Sequence, residues 1–389
     1  MRGRPWSRRA CLRGAAALAL AGPAGALPGR SSDPFQERLR EPVSAWYRAR
    51  EGRDREAAAR ALEAVEEAVA ALRRVTGAEP LADLEAWGRL LEEVRAPDLP
   101  AAAAPERRRF EEAGWLELPA RGPAEERLPL SLLLGPGEGL PGAGPRRQAV
   151  WRPDLEPLLG RGPEDEDFRF LLLPALGRLL RRLAVDRDRV HLVALGPEAA
   201  ALAAVLAEAL PSFFASLVRV GAPAAAGGEG LRQGAVPVLD LPAGADWEAV
   251  AARQREVEPR RLPRAFGSRL ALPWAGRVHW VQAVLFEPSG LAETTGPPPT
   301  WLQARVEPEA GRIHLQARRV SRVHLFLQDG LLDLDRDFTL VRNGLSCRFR
   351  AERSAAVLLE NFALDLDSRL LYPAILRDLD LPAGEEGAG

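Results

Sequence analysis

Residues 190–210, VHLVALGPEAAALAAVLAEAL, read as a buried strand, a tight turn and a helix of small apolar residues. A turn of this kind can hold a nucleophile in a strained backbone conformation at a strand end, and the pattern G-x-S-x-G uses small neighbours to let the backbone approach closely. Laid on that pattern, the five positions are Ala194, Leu195, Gly196, Pro197 and Glu198. Gly196 takes the serine position and offers no side chain to attack a carbonyl. Pro197 suits the first turn of a helix and Glu198 favours its N-terminus electrostatically, so the framework persists without the nucleophile.

The partners such a serine would need are also thin. Asp246, at the end of VPVLDLPAGAD, is a candidate residual triad acid, although an aspartate opening the helix from Trp247 is equally an N-cap. The four histidines, His191, His279, His314 and His324, all fall in strand patterns rather than on a loop after a strand. His279 reads as a packed residue rather than a general base. Their spacing contains no H-x-x-x-H pair, so no metal site is expected. LPLSLLLGPGEG ends in a candidate oxyanion-like loop at Gly135 and Gly137, but Pro136 removes one backbone donor.

Other clusters have bland readings. Asp333, Asp335 and Asp337 form a D-x-D-x-D run, but its sixth position is Phe338 and its twelfth is Gly344, where a calcium loop needs glycine and glutamate. A turn between strands is expected. The acidic GPEDEDF reads as a solvated helix entry, and Trp151, Trp247, Trp280 and Trp301 as core or interface packing rather than a ligand surface.

Lysine is absent, so all 53 basic residues are arginine, and neither a Schiff-base lysine nor a P-loop lysine is available. No cofactor is expected. Five arginines and no acid lie in residues 1–26, which leaves 48 basic against 54 acidic residues in the remainder. Such a balance gives no general attraction to nucleic acid or anionic membrane. Cys11 and Cys347 are the two cysteines, too few for a disulfide framework.

The first 26 residues read as an export signal, with a basic start, a short apolar stretch from Gly14 to Ala21, and Ala24-Gly25-Ala26 as a small-residue cleavage site. Ser7-Arg8-Arg9-Ala10-Cys11-Leu12-Arg13 resembles the twin-arginine signal, with cysteine where that signal usually has phenylalanine. Cys11 precedes the apolar segment and is therefore no lipidation site. A periplasmic or extracellular destination is expected, without a transmembrane segment in the mature chain.

Stepping outward from the turn, residues 33–95 carry helical periodicity with Gly77 as a stop, and APDLPAAAAPE reads as a linker. Apolar strands at 128–134, 190–195, 214–220 and 235–241 alternate with helices at 168–183 and 197–210, which implies a parallel sheet covered on both faces. From about residue 265 the period changes to two, Asn343-Gly344 marks a hairpin, and SAAVLLENFAL is a single late helix before the strand-like ILRDLDL. This predicts a C-terminal antiparallel β domain over 265–385.

Two stretches, LAVDRDRVHLVALGPEAAALAAVLAEALPSFFASLVRVGAP and GRIHLQARRVSRVHLFLQDGLLDLDRDFTLVRNGLSCRFRAERSAAVLLENFALDLDSRLLYPA, resemble exported α/β-hydrolase-like proteins. The resemblance is to the prolyl-oligopeptidase and dienelactone-hydrolase type, in the form with an appended β domain found in planctomycete-like bacteria, and it covers residues 107–383 loosely. It implies an α/β-hydrolase-like domain over 107–260 that has lost its catalytic machinery. A binding or structural role follows, toward a small molecule, glycan or protein. Two other readings are open: a hydrolase of esters or peptides with a rearranged site recruiting Glu198 or Ser131 with Asp246, and a β domain that itself binds a polysaccharide or partner.

Overall fold

A computed structural model describes residues 34–95, 106–110, 114–119, 127–135, 148–153, 166–183, 185–222, 236–257, 262–270, 277–286 and 300–382. The leader, the linker at 96–105 and Gly137 with the rest of its loop lie outside the described residues. Among the described residues, seven α-helices and three sheets make a mixed α/β fold.

Helices α1 (Pro34–Glu51), α2 (Arg55–Thr76) and α3 (Leu84–Arg95) form the N-terminal layer. Asp54 caps α2 by accepting from the Ala57 N–H at 3.0 Å, and Gly77 ends it at φ 68°. Between these ends, Val65, Val69 and Leu72 recur on one face and are buried.

Strands β1 (Glu106–Arg109), β2 (Gly114–Leu118), β3 (Leu128–Leu134), β4 (Ala149–Pro153), β5 (Val185–Leu195), β6 (Ser216–Val220) and β7 (Val238–Leu241) form one sheet in the order β1-β2-β4-β3-β5-β6-β7. The run from β4 through β7 is parallel, while β1 and β2 join it antiparallel. Helices α4 (Glu166–Arg182) and α5 (Gly196–Ala209) bury one face with Leu130, Leu132, Leu192 and Leu217. On the other face α6 (Trp247–Arg255) covers Leu133, Val193, Val218 and Val220. Double coverage explains why these strands read as continuous apolar runs. Strands β1, β2 and β4 had no such signature, being short and partly charged.

The C-terminal strands are β8 (Ala265–Arg269), β9 (Arg277–Val278), β10 (Val281–Phe286), β11 (Trp301–Glu307), β12 (Arg312–Arg318), β13 (Val320–Leu327), β14 (Phe338–Arg342), β15 (Leu345–Phe349) and β16 (Ala374–Asp380). They form two sheets, β16-β13-β10-β9 and β15-β14-β12-β11-β8, which share one apolar core. The first is antiparallel throughout. The second differs from expectation in one pair: β12 and β14 run parallel, because the chain detours through all of β13 and the Asp333–Asp337 turn before returning to β12. Asn343-Gly344 is the β14–β15 hairpin turn, with φ 43° and 88°.

Helix α7 (Ala355–Asp365), capped by Ser354, packs away from these sheets. Its Ala355, Leu358, Leu359 and Phe362 share a core with Leu39, Val43, Trp46 and Trp87 of the N-terminal helices. No helix among the described residues is long and apolar enough to cross a membrane.

Gly88 of α3 packs directly against the later chain, since a Cβ there would lie 2.5 Å from the Ser368 carbonyl oxygen. Replacing a helical glycine by alanine ordinarily gains about 1 kcal/mol. Here we expect the opposite sign, a loss of about 1–3 kcal/mol for Gly88→Ala in urea unfolding, since a backbone atom must move. A stabilised variant would show that the approach is not tight.

Candidate functional site

In a parallel sheet the chain leaves β3 for β4 on one side and then crosses back to β5 on the other. The carboxyl ends of β3 and β5 therefore flank the point where the winding reverses, the position at which open α/β sheets bind ligands. Gly135 stands at the end of β3 and Gly196 at the end of β5. Both are at positive φ, 139° and 80°.

Their surroundings differ. A Cβ on Gly135 would lie 2.7 Å from the Leu195 Cβ, so the two strand ends touch at this point. Among the described residues, a Cβ on Gly196 would meet nothing within 4 Å. Against those residues, the glycine at the elbow is thus required by backbone conformation and not by crowding.

The side chains on the described part of this rim are Leu195, Pro197, Glu198 and Ala243, with Glu198 exposed in the first turn of α5. Asp246 is also exposed, and its carboxylate accepts from the Ala249 N–H at 2.9 Å as the N-cap of α6. No hydroxyl, thiol or imidazole stands beside Gly196 in sequence. One further signal was legible and decisive: in a serine elbow the N–H of the residue after the nucleophile helps to hold the oxyanion. Here that residue is Pro197, which has no N–H.

The histidines lie elsewhere. His191 is buried near the start of the parallel part of β5, and its Nδ1 meets the Ser216 Oγ at 2.9 Å. Burial, then the nearby Arg189, pushes its pKa down to about 4, so the ring is neutral at ordinary pH. His279 occupies the two-residue turn between β9 and β10 at φ 51°, a departure from the strand expected for it, and packs on Phe266 at 5.0 Å. His314 is on β12, 3.6 Å from Glu307, and the His324 Nδ1 accepts from the Asp378 N–H.

Sequence reasoning missed the polar row beneath α6. Register aligns Ser131 of β3 with His191 of β5 and His191 with Ser216 of β6, so all three point to one face. The amides of Gln148 and Gln254 both donate to the Ser131 Oγ, the second at 2.9 Å, and Gln148 donates to Gln254 at 3.0 Å. Ser131 is wholly buried and its oxygen is held by two amides, so it is a structural hydroxyl. A serine inside an apolar strand was the signal; its partners, just before β4 and on α6, were not readable.

Trp151, Trp247 and Trp280 are buried, whereas Trp301 is half-buried. Asp333 and Asp335 make turn contacts, with Arg336 and Arg353 as ion partners. Among the described residues no group of three or more histidine, cysteine, aspartate or glutamate side chains could hold a metal ion. No protein-family model matches the chain, and no curated protein matches it either.

Two measurements test this geometry. In urea unfolding, Gly196→Ala should cost about 1–2 kcal/mol, the strain of a side chain at positive φ, and Gly135→Ala should cost more because its Cβ also meets Leu195. Equal losses would contradict the difference in crowding. His191 has a folded pKa below its unfolded value near 6.5, so only the unfolded chain takes up its proton as the pH falls from 6.5 toward 4. Stability from this residue is complete above pH 6.5 and is lost on acidification, by a total on the order of 3 kcal/mol. Between pH 6.5 and 5, His191→Gln should flatten the pH dependence of the unfolding free energy; an unchanged slope would show that the ring is not held neutral.

Proposed function

We propose that this chain is an exported, non-catalytic α/β-hydrolase-like protein that acts as a binding or structural module. One observation carries the reading: the strand-to-helix turn at the sheet's crossover holds positive-φ Gly196 followed by Pro197, so the position of a nucleophile and the position of its oxyanion donor are both chemically empty. Support for the hydrolase-like ancestry comes from the strand order, in which an antiparallel edge precedes five parallel strands and the elbow follows the central β5. The VDRDRVHL phrase leading into the same turn agrees with it. Export rests on the tripartite leader and its twin arginines alone.

Among the described residues the rim holds no general acid–base pair either. His191 is fixed beneath α6 by Ser216, and Asp246 is engaged as a helix cap. What the described part of the rim retains is shape: two adjoining strand ends bordered by Leu195, Pro197 and Ala243, with Glu198 as the one charged side chain among them. Such a surface can bind without transforming what it binds.

Chromogenic short-chain esters and a fluorophosphonate probe separate this reading from a rearranged hydrolase. The purified chain should give neither turnover nor labelling. Gly196→Ser should also remain inactive, since Pro197 still supplies no donor and no imidazole is within reach in sequence. Turnover that disappears on Ser131→Ala or Glu198→Gln would sink the proposal.

A further inference from the structure

We infer that the outward face of the five-stranded C-terminal sheet is a binding surface for a linear acidic polysaccharide, one carrying carboxylates. This is independent of the rim at Gly196 and stands on the register of β11 and β12. Alternate residues of the two strands are paired across the sheet as Trp301 with Arg318, Gln303 with Gln316, Arg305 with His314, and Glu307 with Arg312. The residues between them, among them Leu302, Ala304, Ile313 and Leu315, are buried in the core, so the paired set faces outward.

That face is solvent-accessible and unevenly charged. Gln303, Arg305, Arg312, Gln316 and Arg318 are exposed, and Trp301 and His314 are half-buried. Arg348 of β15, next to Thr339 of β14, extends the face and is 78% exposed at its side chain. Four arginines thus meet two acids, Glu307 and, 3.3 Å from Arg348, Asp337, in a chain whose formal net charge is −1. Glu307 is engaged by Arg305 at 3.2 Å, while Arg312 and Arg318 make no ion pair among the described residues.

The chemistry of this row matches a uronate chain. An indole offers a flat apolar surface on which a sugar ring can lie, amides both donate to and accept from hydroxyls, and guanidinium forks take carboxylates in two parallel bonds. From Trp301 to Glu307 the row runs about 20 Å, enough for several sugar units. A single-stranded nucleic acid is the other linear polyanion, but its platforms stack successive bases on successive aromatic rings. The two rings of the paired row, Trp301 and His314, lie on different strands with the Gln303–Gln316 pair between them, so they form no run of successive platforms.

Affinity electrophoresis of the full chain through gels containing polygalacturonate, with neutral dextran and a single-stranded oligonucleotide as separate arms, tests the assignment. Polygalacturonate should retard the protein and dextran should not. Gln316→Ala and Arg318→Ala, both at exposed positions, should each weaken retardation severalfold, and Trp301→Ala roughly tenfold or more. No retardation by polygalacturonate, or retardation that survives all three substitutions, would overturn the inference. Retardation by the oligonucleotide at equal or greater affinity would reassign the face to nucleic acid and overturn it as well.

Discussion

The segment Asp365–Tyr372 belongs to three cores at once, and the arrangement of the whole chain depends on where it lies. Leu366 is buried with the strands and helices of the parallel sheet, Leu371 with the N-terminal helices and α7, and Tyr372 with the two C-terminal sheets. The chain enters this segment from α7 through Leu366 at φ 51°, an αL cap whose N–H returns to the Phe362 carbonyl. Charged groups then fix it from each side. Ser368 donates to Glu92 of α3 at 2.6 Å and Arg95 reaches the Leu366 carbonyl at 3.3 Å. Arg369 binds Asp186 and Asp188 of β5 at 3.1 and 2.6 Å, and Asp365 pairs with Arg277 of β9 at 2.9 Å.

These contacts matter because several of the charges are out of water. Burial pushes the Asp367 carboxyl up and draws the Arg187 guanidinium down from their ordinary values, each opposed by the attraction of the other. Arg187 also lies over the Phe213 ring at 4.1 Å, which gives a desolvated cation a second partner. Burial raises the Tyr372 pKa, so the phenol remains neutral beside Arg277. Breaking a buried pair by removing one partner costs about 3–5 kcal/mol, far more than the pair contributes net, because the remaining charge is left uncompensated. The segment is therefore held less by attraction than by the cost of any rearrangement that would strand one of these ions.

This explains what was legible in the sequence and what was not. Strands β3, β5, β6 and β7 and the Asn343-Gly344 hairpin could be read because their signals are local: apolar runs, alternation and turn residues. The parallel pairing of β12 with β14, and the packing of α7 on helices some 300 residues earlier, depend on the path of the chain and leave no periodic trace. The turn was legible because Gly196 and Pro197 adjoin each other; the burial of Ser131 and the capping by Asp246 were legible only as one alternative among several. The VDRDR phrase and the DLDSRLLY phrase meet through Arg369, which binds Asp186 and Asp188.

The shape of the turn at Gly196 follows from the same reasoning. The turn from β5 into α5 must reverse direction within one residue so that α5 can cover Leu192 and Leu217, and a positive φ at that residue accomplishes it. A serine there would bear the strain of that conformation and needs a catalytic role to justify it. Glycine adopts it freely. Proline in the next position starts the helix with its φ already set. The turn at Gly196 is accordingly architectural: the path from β5 into α5 needs the reversal there, and Gly196 with Pro197 supplies it without strain.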